Sequence, residues 1–320
     1  MKMAREKYVA VAADDWYQRR RQDAEGDFFR KVADQGPRKG EGGATRQGIY
    51  MLTADGQLLG YKNAGQAPDV MRDVLQRALT AWDRLPEERR KPGAVKVGEL
   101  GKVDRRYDPS APPGALIVSV YTRILDADGK GGWCRGSCAV PGGDAAARDH
   151  LWLTESDWKS LIPDDPQKGA KFAVPAAIAE RIARFHLIDN TRGEPPLWRP
   201  QDIRKRVLTL QVEDVSADRV TLRLEGEVLL SSDAIPANAD RGYDARLLGR
   251  IGYDRQKKAI DKFDIVALGE HWGEGTFTRN ARKGRMPLGI VFELARGDSA
   301  ADRVPPQGVK ASEDYLRNGR

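Results

Sequence analysis

Leu208-Thr209-Leu210-Gln211-Val212 and Val220-Thr221-Leu222-Arg223-Leu224 decide how this chain is read. In both, an apolar residue stands at every second position with a polar one between. A strand projects successive side chains to opposite faces, so a period of two makes one apolar face and one polar face. Ser216-Ala217-Asp218 between them is short and polar, which predicts a hairpin. Glu227–Leu230, Arg246–Tyr253, Ala259–Leu268 and Pro287–Ala295 read as further strands, with Tyr253-Asp254-Arg255-Gln256 as a polar turn. Five to seven antiparallel strands over residues 201–302 predict a β-sandwich or a partly open barrel. Residues 303–320, punctuated by Pro and Gly, predict a flexible tail.

Residues 92–200 read as a helical middle segment. Pro109 and Pro112-Pro113 mark a linker, and Leu116–Leu125 alternates as a strand. Thr154-x-x-Asp157 before Trp158 and Leu161 is a capping pattern for a short helix. Pro175 opens another, with Ile178, Ile182 and Phe185 on one face. Residues 1–91 mix both periods. Tyr8–Ala12 reads as a strand, and a helix is expected from Trp16 through Phe28, Phe29 and Val32. Ile49–Thr53 and Leu58–Tyr61 flank Asp55-Gly56, a strong hairpin signal. Pro68 then opens a helix that carries Val74, Leu75, Ala78 and Trp82 at helical spacing. The fold class predicted is α+β, in three segments and a tail.

The order strand, helix, hairpin, helix in residues 1–91, with Asp55-Gly56 at the hairpin turn and Asp69–Trp82 as the last helix, resembles the second half of a thioredoxin fold. The likeness covers roughly a quarter of the chain. It implies a thioredoxin-like segment without its redox devices. The family's Cys-x-x-Cys would lie upstream of Tyr8, and Gln47 stands where the family carries its cis-proline. The stretch Arg184 to Pro196 also resembles a group of bacterial proteins that join a thioredoxin-like segment to an uncharacterised β-rich region, which implies no activity.

The composition narrows the function. With 40% hydrophobic residues in 320, the chain is too apolar to be disordered. Lys and Arg number 54 against 47 Asp and Glu, a formal net charge of +7. The basic residues are dispersed among acids, as in Glu87-Glu88-Arg89-Arg90, and no nucleic-acid-binding motif accompanies them. No window is long and apolar enough to predict a membrane span. The apolar run Tyr8–Ala13 is too short for a signal-peptide core. As written, the chain is expected to stay in the cytoplasm, or to be exported if an upstream segment precedes Met1.

Catalytic signatures are scarce. Gly-x-Ser-x-Gly, the phosphate-binding Gly-x-x-x-x-Gly-Lys-Ser/Thr and His-x-x-x-His are not found in the sequence. Cys134 and Cys138 are the two cysteines, held within a glycine-rich stretch that lets their sulfurs meet. They are candidates for a disulfide or a redox pair, and Arg135 would favour the thiolate. With His150 they also form a weak candidate metal set. His186, Asp189, Asn190, Arg192, Glu194 and Trp198 concentrate in one stretch that Pro195-Pro196 fixes as extended. They are candidates for a rigid junction or for one wall of a cleft. No cofactor is implied. The leading expectation is a non-enzymatic interaction or structural module with protein partners. The alternatives are a thiol-disulfide oxidoreductase, through Cys134 and Cys138 or as an N-terminally truncated form, and a ligand- or metal-binding carrier.

Overall fold

Pro109 marks the main division of the chain. The structure, a computed structural model, describes residues 2–40, 44–96, 101–126, 132, 146–311 and 314–316. It forms two units, Met1–Pro109 and Ser110–Arg320.

In the first unit, helices α1 (Lys2–Lys7), α2 (Asp15–Gln18) and α3 (Ala24–Ala33) precede an antiparallel hairpin of β1 (Ile49–Leu52) and β2 (Leu58–Lys62). Helix α4 (Pro68–Asp83) and a short α5 (Glu87–Arg90) follow. The hairpin and α4 pack as their patterns predict, with Met51 from the hairpin meeting Val74 and Ala78 from the helix. Two expectations fail. Tyr8–Ala12 is not a strand: Val9 and Val11 are 91% and 80% exposed, and only Tyr8 docks, donating its hydroxyl to the Leu75 carbonyl at 2.7 Å. The helix from Trp16 breaks after Gln18, because Arg21 folds back on Asp23 and Asp23 caps α3 through the Gly26 amide. A local ion pair and cap outweigh helix continuation there.

The second unit is built on one eight-stranded antiparallel sheet. Its strands are β3 (Leu116–Ile124), β4 (Ala147–Leu153), β5 (Lys171–Ala173), β6 (Ile203–Val215), β7 (Arg219–Ser231), β8 (Gly242–Asp254), β9 (Ala259–Trp272) and β10 (Met286–Leu294). Their order is β4-β3-β10-β9-β8-β7-β6-β5. Strands β6 to β10 form a meander, and β3–β4 joins it at β10. The expected Glu227–Leu230 strand is the far half of β7. It continues through Gly226, where an added Cβ would lie 2.4 Å from the Val207 carbonyl oxygen.

The inner face carries the predicted apolar positions: Leu208, Leu210 and Val212 of β6, Val220, Leu222 and Leu224 of β7, with Ile265, Ile290 and Phe292. No second sheet covers them among the described residues, so the architecture is not a sandwich. The cover comes from the middle segment. Helices α6 (Glu155–Lys159) and α7 (Ala176–Arg181) and the chain to Trp198 supply Trp158, Leu161, Ile178, Ile182, Leu187 and Trp198 to the same core. A boundary near residue 200 is therefore not seen: the helices between β4 and β6 and the meander bury one another. The tail also differs from expectation. A short α8 (Gln307–Ala311) leads to Tyr315, which is buried against Trp152 and Phe185.

Candidate functional site

Both candidate clusters grow from the end of α7. The chain does not stop at Arg181 but widens into a π-helical turn, Ile182–His186, closed by the Leu187 amide on the Ile182 carbonyl at 3.1 Å. Such turns add a residue to the helical step and re-aim side chains, often at functional sites. Here Arg181 and His186 both enter the interior.

Arg181 donates to the Asp157 carboxylate at 2.6 Å, the Trp152 carbonyl at 3.1 Å and the Tyr315 carbonyl at 2.6 Å. The Thr154–Asp157 capping box predicted from sequence is present, so Asp157 caps α6 and binds Arg181 at once. The Tyr315 hydroxyl accepts from the Trp152 amide at 3.2 Å and lies 2.8 Å from His186 Nε2. His186 Nδ1 lies 3.2 Å from Asp149 Oδ2 without hydrogen-bond geometry, and whether the Tyr315 hydroxyl or His186 Nε2 donates is set by the imidazole tautomer. Asp149 Oδ1 accepts from the Gln307 amide at 2.9 Å. Burial holds the Tyr315 phenol well above its ordinary pKa, so it stays protonated. Asp149, His186 and Tyr315 thus stand in line. Each member is buried, and its bonds fall on β4, an edge strand whose outer N–H and C=O groups would otherwise be unpaired. The network seals the sheet edge.

The second cluster is a small cleft at the end of β3, β9 and β10, lined by Asp189, Arg192, His271, Asn280 and Arg282 with Leu288. Asp189 accepts from the Thr191 amide and hydroxyl and pairs with Arg192 at 2.9–3.0 Å. Burial alone would raise its carboxyl. The Thr191 bonds and the fields of His271 and Arg192 outweigh it and hold the group below its usual range. Arg192 also donates to the Thr278 and Arg279 carbonyls, tying the 189–196 stretch to the loop after β9. Gly193 makes that approach possible: its φ is +148°, and a Cβ there would meet the Phe277 carbonyl oxygen at 2.2 Å. Asn280 sits at φ +70° on the cleft wall, a conformation that Asn tolerates. Burial pushes His271 down to about 4; Asp189 opposes this, while Arg192, Arg241 and Arg282 add to it. At neutral pH it is an uncharged imidazole among guanidinium groups.

The predicted residues thus divide between two places. His186 belongs to the edge seal. Asp189 and Arg192 form a cleft wall as well as a rigid junction. The Asn190 side-chain oxygen is buried with no hydrogen-bond partner among the described residues. Glu194 turns outward to Lys310 and Gln307. Trp198 is a core residue whose indole donates to the Leu187 carbonyl, with Arg241 stacked 3.9 Å from its ring. His150 is buried on β4 beside Arg148, and burial lowers its pKa. Cys134 and Cys138 lie outside the described residues. Among the described residues, no group of three or more His, Cys, Asp or Glu is placed to hold a metal ion. No described helix is long and apolar enough to cross a membrane.

Sequence reasoning missed Arg181, Tyr315 and Arg282; it read Asp149 only as a forced fourth metal ligand and His271 as a core or interface histidine. The one local signal for Tyr315 was the aromatic–apolar pair Tyr315-Leu316 near the end of the tail. Comparison with protein-family models, curated proteins and solved structures found no match to this chain.

Proposed function

We propose that this chain is a non-enzymatic protein-interaction module and that its docking surface is the open face of the eight-stranded sheet. The observation that carries this reading is a row of exposed apolar side chains. Leu248 of β8, Val266 of β9 and Val291 of β10 stand directly opposite one another in register and are 53%, 46% and 39% exposed. Tyr121 of β3 continues the row beyond Val291, and Leu268 lies one step along β9. An antiparallel sheet can face water, but that face is then polar. A contiguous apolar band on it marks a contact surface. Two of the residues expected at a junction or cleft wall are tied into the scaffold. His186 and Asp189 hold bonds that close an edge and a junction, which suits a rigid display scaffold.

The test compares immobilised full chain with the Leu248→Asp/Val266→Asp variant in affinity capture, with bound proteins identified by mass spectrometry. Both positions are half-exposed, so the variant keeps its core. Partners held by the unchanged chain and lost by the variant are expected. The same set retained by a folded variant would refute the assignment of this face.

A further inference from the structure

The charges around the apolar row are arranged antisymmetrically. One step along the sheet, the row across β7, β8, β9 and β10 reads Arg223, Arg250, Asp264, Glu293, each opposite the next in register. Two basic side chains stand on one side of the β8–β9 line and two acidic ones on the other. The next row holds Leu248 and Val266 either side of the same line, and the one beyond holds Arg246 and Leu268.

We propose that the occupant of this face is a second copy of the chain, docked sheet on sheet about a two-fold axis parallel to the strands and running between β8 and β9. The proposal rests on the reading of the open face as a docking surface. Such an axis exchanges the two sides of the line and keeps each row. Arg250 of one copy then lies over Asp264 of the other, Arg223 over Glu293, and Leu248 over Val266. An isologous contact must be self-complementary, and the row from Arg223 to Glu293 and the Leu248–Val266 pair are. Sheets pack face to face about 10 Å apart, which accommodates such side chains. The outward face of β6 to β10 with β3 is roughly 800 Å² per copy, the size of a standard specific interface. The charged groups already have neighbours within the chain, Arg250 with Glu213 at 2.8 Å and Lys262 with Asp264 at 3.2 Å. These are exposed pairs, weak enough to exchange partners across an interface. Arg246 would lie over Leu268 and Glu225 over Val291, both unmatched, and one row opposes the contact outright: Asp244 and Glu270 would face each other. Arg285 lies 3.6 Å from the first and 3.9 Å from the second, so each copy brings the cation that offsets them.

Sedimentation velocity on the full chain, from about 1 to about 200 µM, tests this. A concentration-dependent dimer is expected. Val266→Asp should weaken it by more than about tenfold in Kd, since it sets a charge at the apolar centre. Arg250→Asp should dissociate it by facing Asp264 with a second carboxylate, and adding Asp264→Arg should restore it. A wild-type chain that stays monomeric throughout, a dimer indifferent to Val266→Asp, or a double variant that remains dissociated would overturn the proposal. If the chain is monomeric while the Leu248→Asp/Val266→Asp variant still loses captured proteins, the docking face stands and its partner is a different protein.

Discussion

Replacing Tyr315 by Phe removes one oxygen and leaves the ring in place. The ring's contacts with Phe185, at 5.0 Å between centroids, and with the Trp152 cluster persist. The lost hydroxyl strands two buried groups: the Trp152 amide, 3.2 Å away, and His186 Nε2, 2.8 Å away. Leaving a buried polar group unpaired costs about 1–3 kcal/mol, so the pair sums to roughly 2–6 kcal/mol. That is a large fraction of the roughly 5–15 kcal/mol that holds a typical domain folded. Urea unfolding of the full chain, followed by tryptophan fluorescence, measures it. Trp152, Trp158, Trp198 and Trp272 all report on the second unit. The two units are fitted as separate transitions, and the first serves as an internal reference that the substitution leaves unmoved. Hydrogen exchange gives a local readout, because the Trp152 amide on the outer edge of β4 loses its acceptor and should exchange faster. A second-unit transition within about 0.5 kcal/mol of the unchanged protein, with Trp152 protection intact, would refute the claim that Tyr315 seals the sheet edge.

Acid should weaken the second unit before carboxylates titrate. His271 falls to about 4 in the folded chain, against about 6.5 unfolded. The unfolded state therefore binds the proton first, and stability is lost as pH falls from about 6.5 through about 4, by roughly 2–3 kcal/mol at about pH 4.5. His271→Gln should flatten most of that slope in urea midpoints measured across the window, and an unchanged slope would contradict the depressed value. Gly193→Ala forces a Cβ against the Phe277 carbonyl oxygen at a positive φ, and should cost about 1–3 kcal/mol by calorimetry; a neutral effect would mean the junction is loose. Leu210→Ala at the centre of the buried face should cost about 2–5 kcal/mol by the same measurement.

Which residues of the second unit face inward follows from their order in the chain. Leu208, Leu210, Val212, Val220, Leu222 and Leu224 alternate so regularly that a shift of one residue would expose them all, and each is buried as its parity requires. The Asp55-Gly56 hairpin, the helix from Pro68 and the Thr154–Asp157 capping box were legible for the same reason: each is a contact between near neighbours in the chain. Alternation says that one face is buried but not by what. That helices of the middle segment cover the sheet, so that two predicted segments became one unit, follows from packing between residues distant in the chain. Local pattern misled at Tyr8–Ala12, where a small, apolar run finds no strand partner. The clusters were half legible. His186, Asp189 and Arg192 stand within seven residues and could be suspected together. Their partners Asp149, Tyr315, His271 and Asn280 come from β4, the tail, β9 and the loop after it. Such contacts span 37 to more than 100 residues, and only the sheet's strand order brings them together, β4 placed at an edge that the tail must close and β9 ending beside the junction. The charge row on the open face has the same origin: Arg223, Arg250, Asp264 and Glu293 are unremarked in sequence and become a row only through strand register.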